Sequence, residues 1–257
     1  DEALLRRAWP VVRRALDCVV AMQLPFGGIA WARGAGGVTA ATALVAGSSS
    51  IYQALACGVA LGDLLDEPQP EWELAAGRLA HALREHEDRF EPKTRFSMDW
   101  YYPILGGALR GPAAQARVAA RWDDFVVDGL GIRCVDDQPW VTGAETCELV
   151  LALAATGERE RAQGLLAAMQ HLRDPDGSYW TGHVFTDEVR WPVERSTWTA
   201  AAVILAVDAL SGTTRGSDIF HGTSLPGGFT EIGLECGCVP TDGGSADRVT
   251  GLSPHAP

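Results

Sequence analysis

Apolar residues recur along this chain in two alternating modes. Over residues 4–22, Leu5, Ala8, Trp9, Val12, Ala15, Leu16, Val19 and Val20 fall at three- and four-residue spacing, while Arg6, Arg7, Arg13, Arg14 and Asp17 lie largely elsewhere. That spacing predicts an amphipathic helix, kinked or started at Pro10. Residues 71–90 repeat the pattern, with Trp72, Leu74, Ala75, Leu79, Ala82 and Leu83 set against Glu71, Glu73, Arg78, Arg84, Glu85 and Glu87, and Pro92 stops it. Further amphipathic helices are predicted over 113–127 and 158–170. Between them stand segments apolar on nearly every side: 48–65, opened by Ser48, Ser49 or Ser50 as N-cap; 100–109, capped from Ser97 or Asp99 and interrupted at Pro103; 139 or 142 to 155, with Glu145 and Glu148 embedded; and 196–210. A helix apolar all round is normally buried all round.

The order amphipathic helix, loop, apolar helix thus occurs four times. The apolar helices open near Ser48, Ser97, Thr142 and Ser196, a period of about fifty residues, as helical-hairpin repeats show. Two of the loops share a finer signature. Met169-Gln170 ends a helix, Asp176, Gly177, Ser178, Tyr179 and Trp180 form the loop, and Ser196-Thr197 opens the next helix. Near the start, Met22-Gln23 is followed by Gly27, Gly28, Ile29, Ala30 and Trp31, then by Ser48. This combination of Gln, a Gly-containing loop, Trp and a small-residue helix resembles the repeat of the prenyltransferase and squalene–hopene cyclase (terpene cyclase) superfamily. The resemblance covers residues 4–210 and implies an all-α fold. That fold is an α/α toroid, or barrel, of helical hairpins, with an inner ring of apolar helices and an outer ring of amphipathic ones. The N-terminal ends of the inner helices, and the loops before them, would gather at one mouth. A closed ring in that superfamily takes about six hairpins, against four here, so the ring is open, is completed by the termini, or belongs to a longer chain of which this is a part. The toroid domain is expected over 1–210. Residues 211–257, rich in Gly, Ser, Thr, Pro and Asp and without periodicity, read as an irregular tail or lid, with Phe220, His221, Phe229, Ile232 and Leu234 able to pin it.

Composition narrows the partners. The 257 residues are 47% hydrophobic, ample for a sizeable core. A net charge of −12 argues against nucleic acid and anionic membrane. Charged residues such as Asp63, Glu67, Arg84, Glu148 and Asp208 punctuate or flank the apolar stretches, so no integral membrane span is expected. The opening residues carry no apolar signal region; they read as the inside of a helical domain, which leaves room for residues upstream. With six cysteines and no leader, reduced thiols and a cytoplasmic location are expected. Cys236-Gly237-Cys238 is the one close pair, and no second pair completes a metal site around it.

The loops feeding the inner helices collect aromatic and charged residues. Asp99, Trp100, Tyr101 and Tyr102 come from one, Asp136, Asp137, Gln138, Trp140 and Glu145 from the next, and Trp180, His183, Asp187, Glu188, Arg190, Trp191, Glu194 and Arg195 from the last. Several have plain structural readings: Asp99 as a helix cap, Asp176-Gly177 as a turn, Trp180 as packing. Glu145, on the first turn of a helix facing the cavity, stands out as an acid/base candidate, with Asp99 and Asp137 beside it. The resemblance implies an enzyme acting on an isoprenoid or similarly hydrophobic small molecule. Trp100, Tyr101, Trp140, Trp180, His183 and Trp191 would then line the cavity, Arg195 would meet an anionic group, and Mg²⁺ would be needed if the substrate is a diphosphate; no protein metal site is expected. The chain departs from the family's motifs: Val135-Asp136-Asp137-Gln138 lacks the first Asp of Asp-x-Asp-Asp, and no zinc set matches. Two other readings stay open. One is a carbohydrate-active toroid (glycosidase, lyase or epimerase) using a carboxylate pair such as Asp99 with Glu145 or Asp137 with Glu194. The other is a non-catalytic toroid that binds a peptide, lipid or partner, and a homo-oligomer is compatible with all three.

Overall fold

The computed structural model describes residues 1–222 and 225. The anchors Phe229, Ile232 and Leu234 and the Cys236/Cys238 pair lie outside the described residues. The chain opens with α1 (Glu2–Val20), whose N-terminal Asp1 accepts the backbone N–H groups of Ala3 and Leu4 and which carries Pro10 inside it without a break. A glycine-rich loop leads to α2 (Val45–Leu64), and α3 (Pro70–Glu85) returns antiparallel to it with Pro70 in its first turn. The short α4 (Ser97–Leu105) is followed by α5 (Gly111–Ala120) and the single turn α6 (Trp122–Phe125). Strands β1 (Val126–Val127), β2 (Gly131–Arg133) and β3 (Trp140–Thr142) precede α7 (Gly143–Ala155) and α8 (Arg159–Ala168). Strands β4 (Gly182–Val184) and β5 (Val189–Arg190) then lead to α9 (Thr197–Ser211).

The fold is mainly helical, and the expectation of an all-α chain is corrected by a five-stranded antiparallel sheet ordered β1-β2-β3-β4-β5. Val126 pairs with Ile132, Ile132 with Thr142, Val141 with His183, and His183 with Arg190. Strands of two or three residues have no period to read, which is why residues 129–138 pass for a loop in the sequence. The sheet matters because β3 runs without a break into α7 and sets where that helix begins.

The apolar helices form a connected series but are not all buried all round: α9 exposes Trp198, Ile204, Leu205 and Val207, and α2 exposes Leu64. The apolar helices α2, α4, α7 and α9 pack successively, α2 on α4, α4 on α7 and α7 on α9. The amphipathic helices pack on these: α1 and α3 on α2, α5 on α4, α8 on α7 and α9. Two apolar clusters result, one around Trp9, Leu55, Trp72 and Leu79, the other around Tyr101, Phe125, Leu149, Leu153 and Met169. By length and composition α2 could cross a bilayer, with 20 residues and a mean hydropathy of 1.2, but half of that stretch is buried inside the protein, as in a core helix.

The serines expected to cap α2 have another task. The helix starts earlier, at Val45, and inside it the Ser48 hydroxyl accepts the buried Ile29 N–H at 3.3 Å while Ser49 donates to the Val45 carbonyl at 2.7 Å. Buried loop amides need acceptors, and the small helix residues provide one. Ser196 does cap α9, accepting the Thr199 N–H at 3.2 Å.

The repeated glutamine signature is a turn device. Gln23 donates its side-chain amide to the carbonyls of Gly27 and Ala75, both at 2.9 Å, tying the end of α1 to its loop and to α3. Gly27, at φ +103°, is needed there because a Cβ would meet the Arg78 carbonyl at 2.5 Å. At the second copy Gln170 accepts the Tyr179 hydroxyl at 2.8 Å across the turn closed by Gly177. The signature therefore encodes how a hairpin is joined and carries no reaction.

Candidate active site

The apolar helices enclose a cavity of about 340 Å³ lined by Ser50 and Gln53 of α2, Tyr102 and Leu105 of α4, Glu148 and Leu151 of α7, Trp198, Ala201, Ala202 and Leu205 of α9, and Phe220 beyond it. Each helix contributes residues one turn apart, so the wall is built from four segments spread over the chain. The stretch after α9 is held over this cavity by its backbone: Gln53 donates to the Ile219 carbonyl at 2.8 Å and Arg110 to that of Phe220 at 2.9 Å.

The wall is apolar apart from a few groups, and Glu148 is its carboxylate. The Tyr101 hydroxyl donates to Glu148 Oε2 at 2.6 Å and the Tyr102 hydroxyl to Oε1 at 3.2 Å. Burial drives the Glu148 carboxyl up to about 7; the tyrosine hydrogen bonds pull it down, and the charge of Glu145 pushes it up. Both tyrosines are raised by burial and by the neighbouring carboxylates, so they keep their protons across the neutral range. The thiol of Cys134, just before the β2–β3 turn, is pushed up to about 12 by burial and by Glu145 and Glu148, and burial raises Cys147 likewise. These thiols are poor nucleophiles, because the thiolate is the reactive form.

Glu145 sits one turn before Glu148, on the partly exposed side of the same helix. Neighbours at i and i+3 lie on one helix face, but of the two only Glu148 lines the cavity. Asp99, paired with Glu145 in the sequence reading, is placed elsewhere. It is buried, accepts the Lys93 N–H at 3.0 Å, and lines a separate recess of about 150 Å³ with Glu87, Arg117 and Arg121. Asp137 is on the surface, its carboxylate gripped by Arg95 at 2.7 and 2.8 Å, which lowers its pKa. Of the three acid/base candidates, then, Asp99 lines a recess separate from that of Glu148 and Asp137 is taken up by Arg95.

The aromatic candidates divide in the same way. Trp100 is a core residue, stacked on Phe125 at 5.3 Å and donating to the Arg117 carbonyl at 2.7 Å. Tyr101 is fully buried and reaches the cavity only through Glu148. Trp140 and Trp191 meet edge to face at 4.9 Å beside the sheet, and the Trp140 Nε1–H donates to the Trp191 carbonyl at 2.8 Å. Trp180 lies under the Arg195 guanidinium, 5.1 Å from its ring centre. Arg195 is itself occupied by Asp174 at 2.6 Å and Asp176 at 3.0 Å, so the anions it meets are the protein's own. His183 is buried on β4, 5.4 Å from the His171 ring and 3.5 Å from Glu188. Among the described residues no group of three or more His, Cys, Asp or Glu side chains is arranged to hold a metal ion.

Glu148, Tyr102, Gln53 and Trp198 are the wall residues that periodicity does not single out. One signal was present: two glutamates three residues apart in an otherwise apolar helix, where an ionised side chain needs a reason to be.

No family model matches the chain. A protein of Mycolicibacterium hassiacum described as an MMP endo-(1,4)-3-O-methyl-alpha-D-mannosidase is 59% identical over 242 residues, which is 94% of this chain and 67% of that protein. This identity overturns the resemblance to prenyltransferases and terpene cyclases, and with it the isoprenoid substrate and the diphosphate that called for Mg²⁺. The repeat misled because its glutamine, glycine and aromatic positions serve the hairpin turn.

Proposed function

We propose that this chain, which belongs to the family of the MMP endo-(1,4)-3-O-methyl-alpha-D-mannosidase of M. hassiacum, is a glycoside hydrolase that cleaves α-(1,4) links within chains of 3-O-methylated mannose. Carbohydrate chemistry by carboxylates is the alternative that the sequence left open, and family membership favours it. The observation that carries the mechanism is Glu148, a carboxyl raised to about 7 on the wall of an apolar cavity. A glycosidase needs one carboxyl that is protonated near neutral pH to donate to the leaving glycosidic oxygen as the C1–O bond breaks. Glu148 meets that need. The cavity volume falls within the range of small-molecule sites, roughly 300–1,000 Å³. Its wall of Leu105, Leu151, Ala202, Leu205 and Phe220 suits a sugar whose hydroxyls are partly capped by methyl, and the Trp198 indole offers a face for a sugar ring.

Glu145 takes a supporting role in this reading. It stands on the same helix face as the acid, whereas a glycosidase's second carboxylate must act from the far side of the sugar. We assign it to raising the proton affinity of Glu148. Asp99 and Asp137 are read as structural residues, one accepting the loop amide of Lys93, the other closing a surface ion pair. We further read the successive packing of α2, α4, α7 and α9, with amphipathic helices outside, as an arc of an α/α toroid over residues 1–210, and the segment from 211 as a cover whose Phe220 completes the cavity wall.

The test is hydrolysis of 3-O-methylmannose oligosaccharides by the purified protein and by Glu148→Gln. Loss of a general acid costs on the order of 10²–10⁴ in kcat. A Glu148→Gln protein that turns over at the wild-type rate removes Glu148 from the mechanism, and a wild-type protein inert on this substrate but active on another glycan redirects the substrate assignment.

A further inference from the structure

The two tyrosines at Glu148 differ in a way that decides which oxygen carries the acid proton. Tyr101 is fully buried, and its ring lies against Trp100 at 6.3 Å and Tyr102 at 5.3 Å. Its hydroxyl reaches Glu148 Oε2 at 2.6 Å from the core side. Tyr102 is only partly buried and belongs to the cavity wall, and its hydroxyl reaches Oε1 at 3.2 Å. Oε2 thus meets a fully buried hydroxyl and Oε1 a hydroxyl belonging to the cavity wall.

We propose that Tyr101 is a positioning residue which locks Oε2 of Glu148 as an acceptor, so that the acid proton is held on Oε1 and delivered into the cavity. The proposal rests on reading Glu148 as the general acid. The protonated carboxyl's O–H oxygen is a weaker acceptor than its C=O oxygen, so the short hydrogen bond from Tyr101 favours Oε2 as the carbonyl oxygen and leaves the proton to Oε1. Burial and the adjacent carboxylates also keep the Tyr101 proton bound through the range in which Glu148 titrates, so it donates to Oε2 in both states of the acid. As the C1–O bond breaks, the Oε1 proton goes to the leaving oxygen, a water oxygen becomes bonded to C1 and gives up its proton to solvent, and the carboxylate left behind gains its charge where two hydroxyls already point at it. Locking the carboxyl plane in this way places the proton in one direction, and a small angular error in a donor costs rate.

The experiment compares Tyr101→Phe, Tyr102→Phe and Glu148→Gln by kcat, KM and full pH–rate profiles, with the melting temperature of each. Tyr101→Phe should lower kcat tenfold or more with KM within about twofold, and should move the alkaline limb of the profile upward, because a hydrogen bond that stabilised the carboxylate is gone. A purely structural role would lower the melting temperature without moving that limb. Unchanged kcat and an unmoved limb in folded Tyr101→Phe, beside an inactive Glu148→Gln, overturn this proposal alone. Full activity in Glu148→Gln overturns the acid assignment on which it rests. If Tyr101→Phe does not fold, Tyr102→Phe decides: the proposal expects it to keep at least a tenth of the wild-type kcat, since Oε1 remains oriented by Tyr101, and a collapse in kcat there would make Tyr102 the residue that fixes the acid.

Discussion

Glu145 stands one helical turn before Glu148 on α7, and its charge raises the Glu148 carboxyl against the pull of two tyrosine hydrogen bonds. Removing the charge while keeping the shape separates tuning from catalysis. Glu145→Gln should retain turnover, with the alkaline limb of its pH–rate profile moved to lower pH because a like charge has gone. A variant devoid of activity at every pH would return Glu145 to the position of a direct participant.

Glu148 also ties stability to pH. The folded protein holds this proton with a pKa of about 7 against an ordinary 4.5, so between those values the folded state binds more protons than the unfolded chain. The contribution is therefore fully present below about 4.5 and is lost as pH rises through about 7. The loss is roughly 3 kcal/mol, at about 1.4 kcal/mol for each pH unit. Chemical denaturation of the wild type across that window should show the decline, and Glu148→Gln should flatten it. A wild-type stability that rises steadily over the same range contradicts the raised carboxyl.

Asp99 is expected to matter for folding and not for chemistry. Its side chain is buried, and its carboxylate accepts the Lys93 amide at 3.0 Å in a part-buried setting. Asp99→Ala leaves that donor unpaired, a cost of about 1–3 kcal/mol. Activity per folded molecule should stay near wild type. Turnover lost in a variant with an unchanged melting temperature would place Asp99 back in the mechanism.

Trp198 exposes 63% of its surface beside the cavity, a large apolar face for a free side chain on a helix. If a sugar ring stacks on it, Trp198→Ala should raise KM by about tenfold, roughly the 1.4 kcal/mol of a tenfold change in binding, with kcat held within a few-fold. Isothermal titration of the inactive Glu148→Gln protein with oligosaccharide, with and without the tryptophan change, reads the same loss directly.

Hydrophobic periodicity was enough to place most of the helices, because an apolar stripe or an apolar surround is a local property of consecutive residues. Residues 71–90 show Trp72, Leu79 and Leu83 on one face in the sequence, and these side chains are buried in α3. The glutamine signature was equally legible as a repeat, but its meaning was not, since Gln23 acts through the carbonyl of Ala75 on α3 and Gln170 through the hydroxyl of Tyr179 across a turn. The sheet escaped for a related reason: pairing of Val141 with His183 joins residues far apart in the chain, through strands too short to alternate.

By itself, then, the sequence determined where most of the chain coils, which helices are apolar and which amphipathic, and that acidic and aromatic residues cluster ahead of the apolar ones. Only the tertiary structure decided which of them share a cavity. Asp99 and Tyr101 are near neighbours in the chain, yet one faces the recess beside Arg117 and the other faces Glu148. The proton affinity of Glu148 was decided there too. It arises from the burial imposed by surrounding helices, from hydroxyls of α4 and from a charge on α7, and a sum over groups brought together by packing has no counterpart in any local stretch of residues.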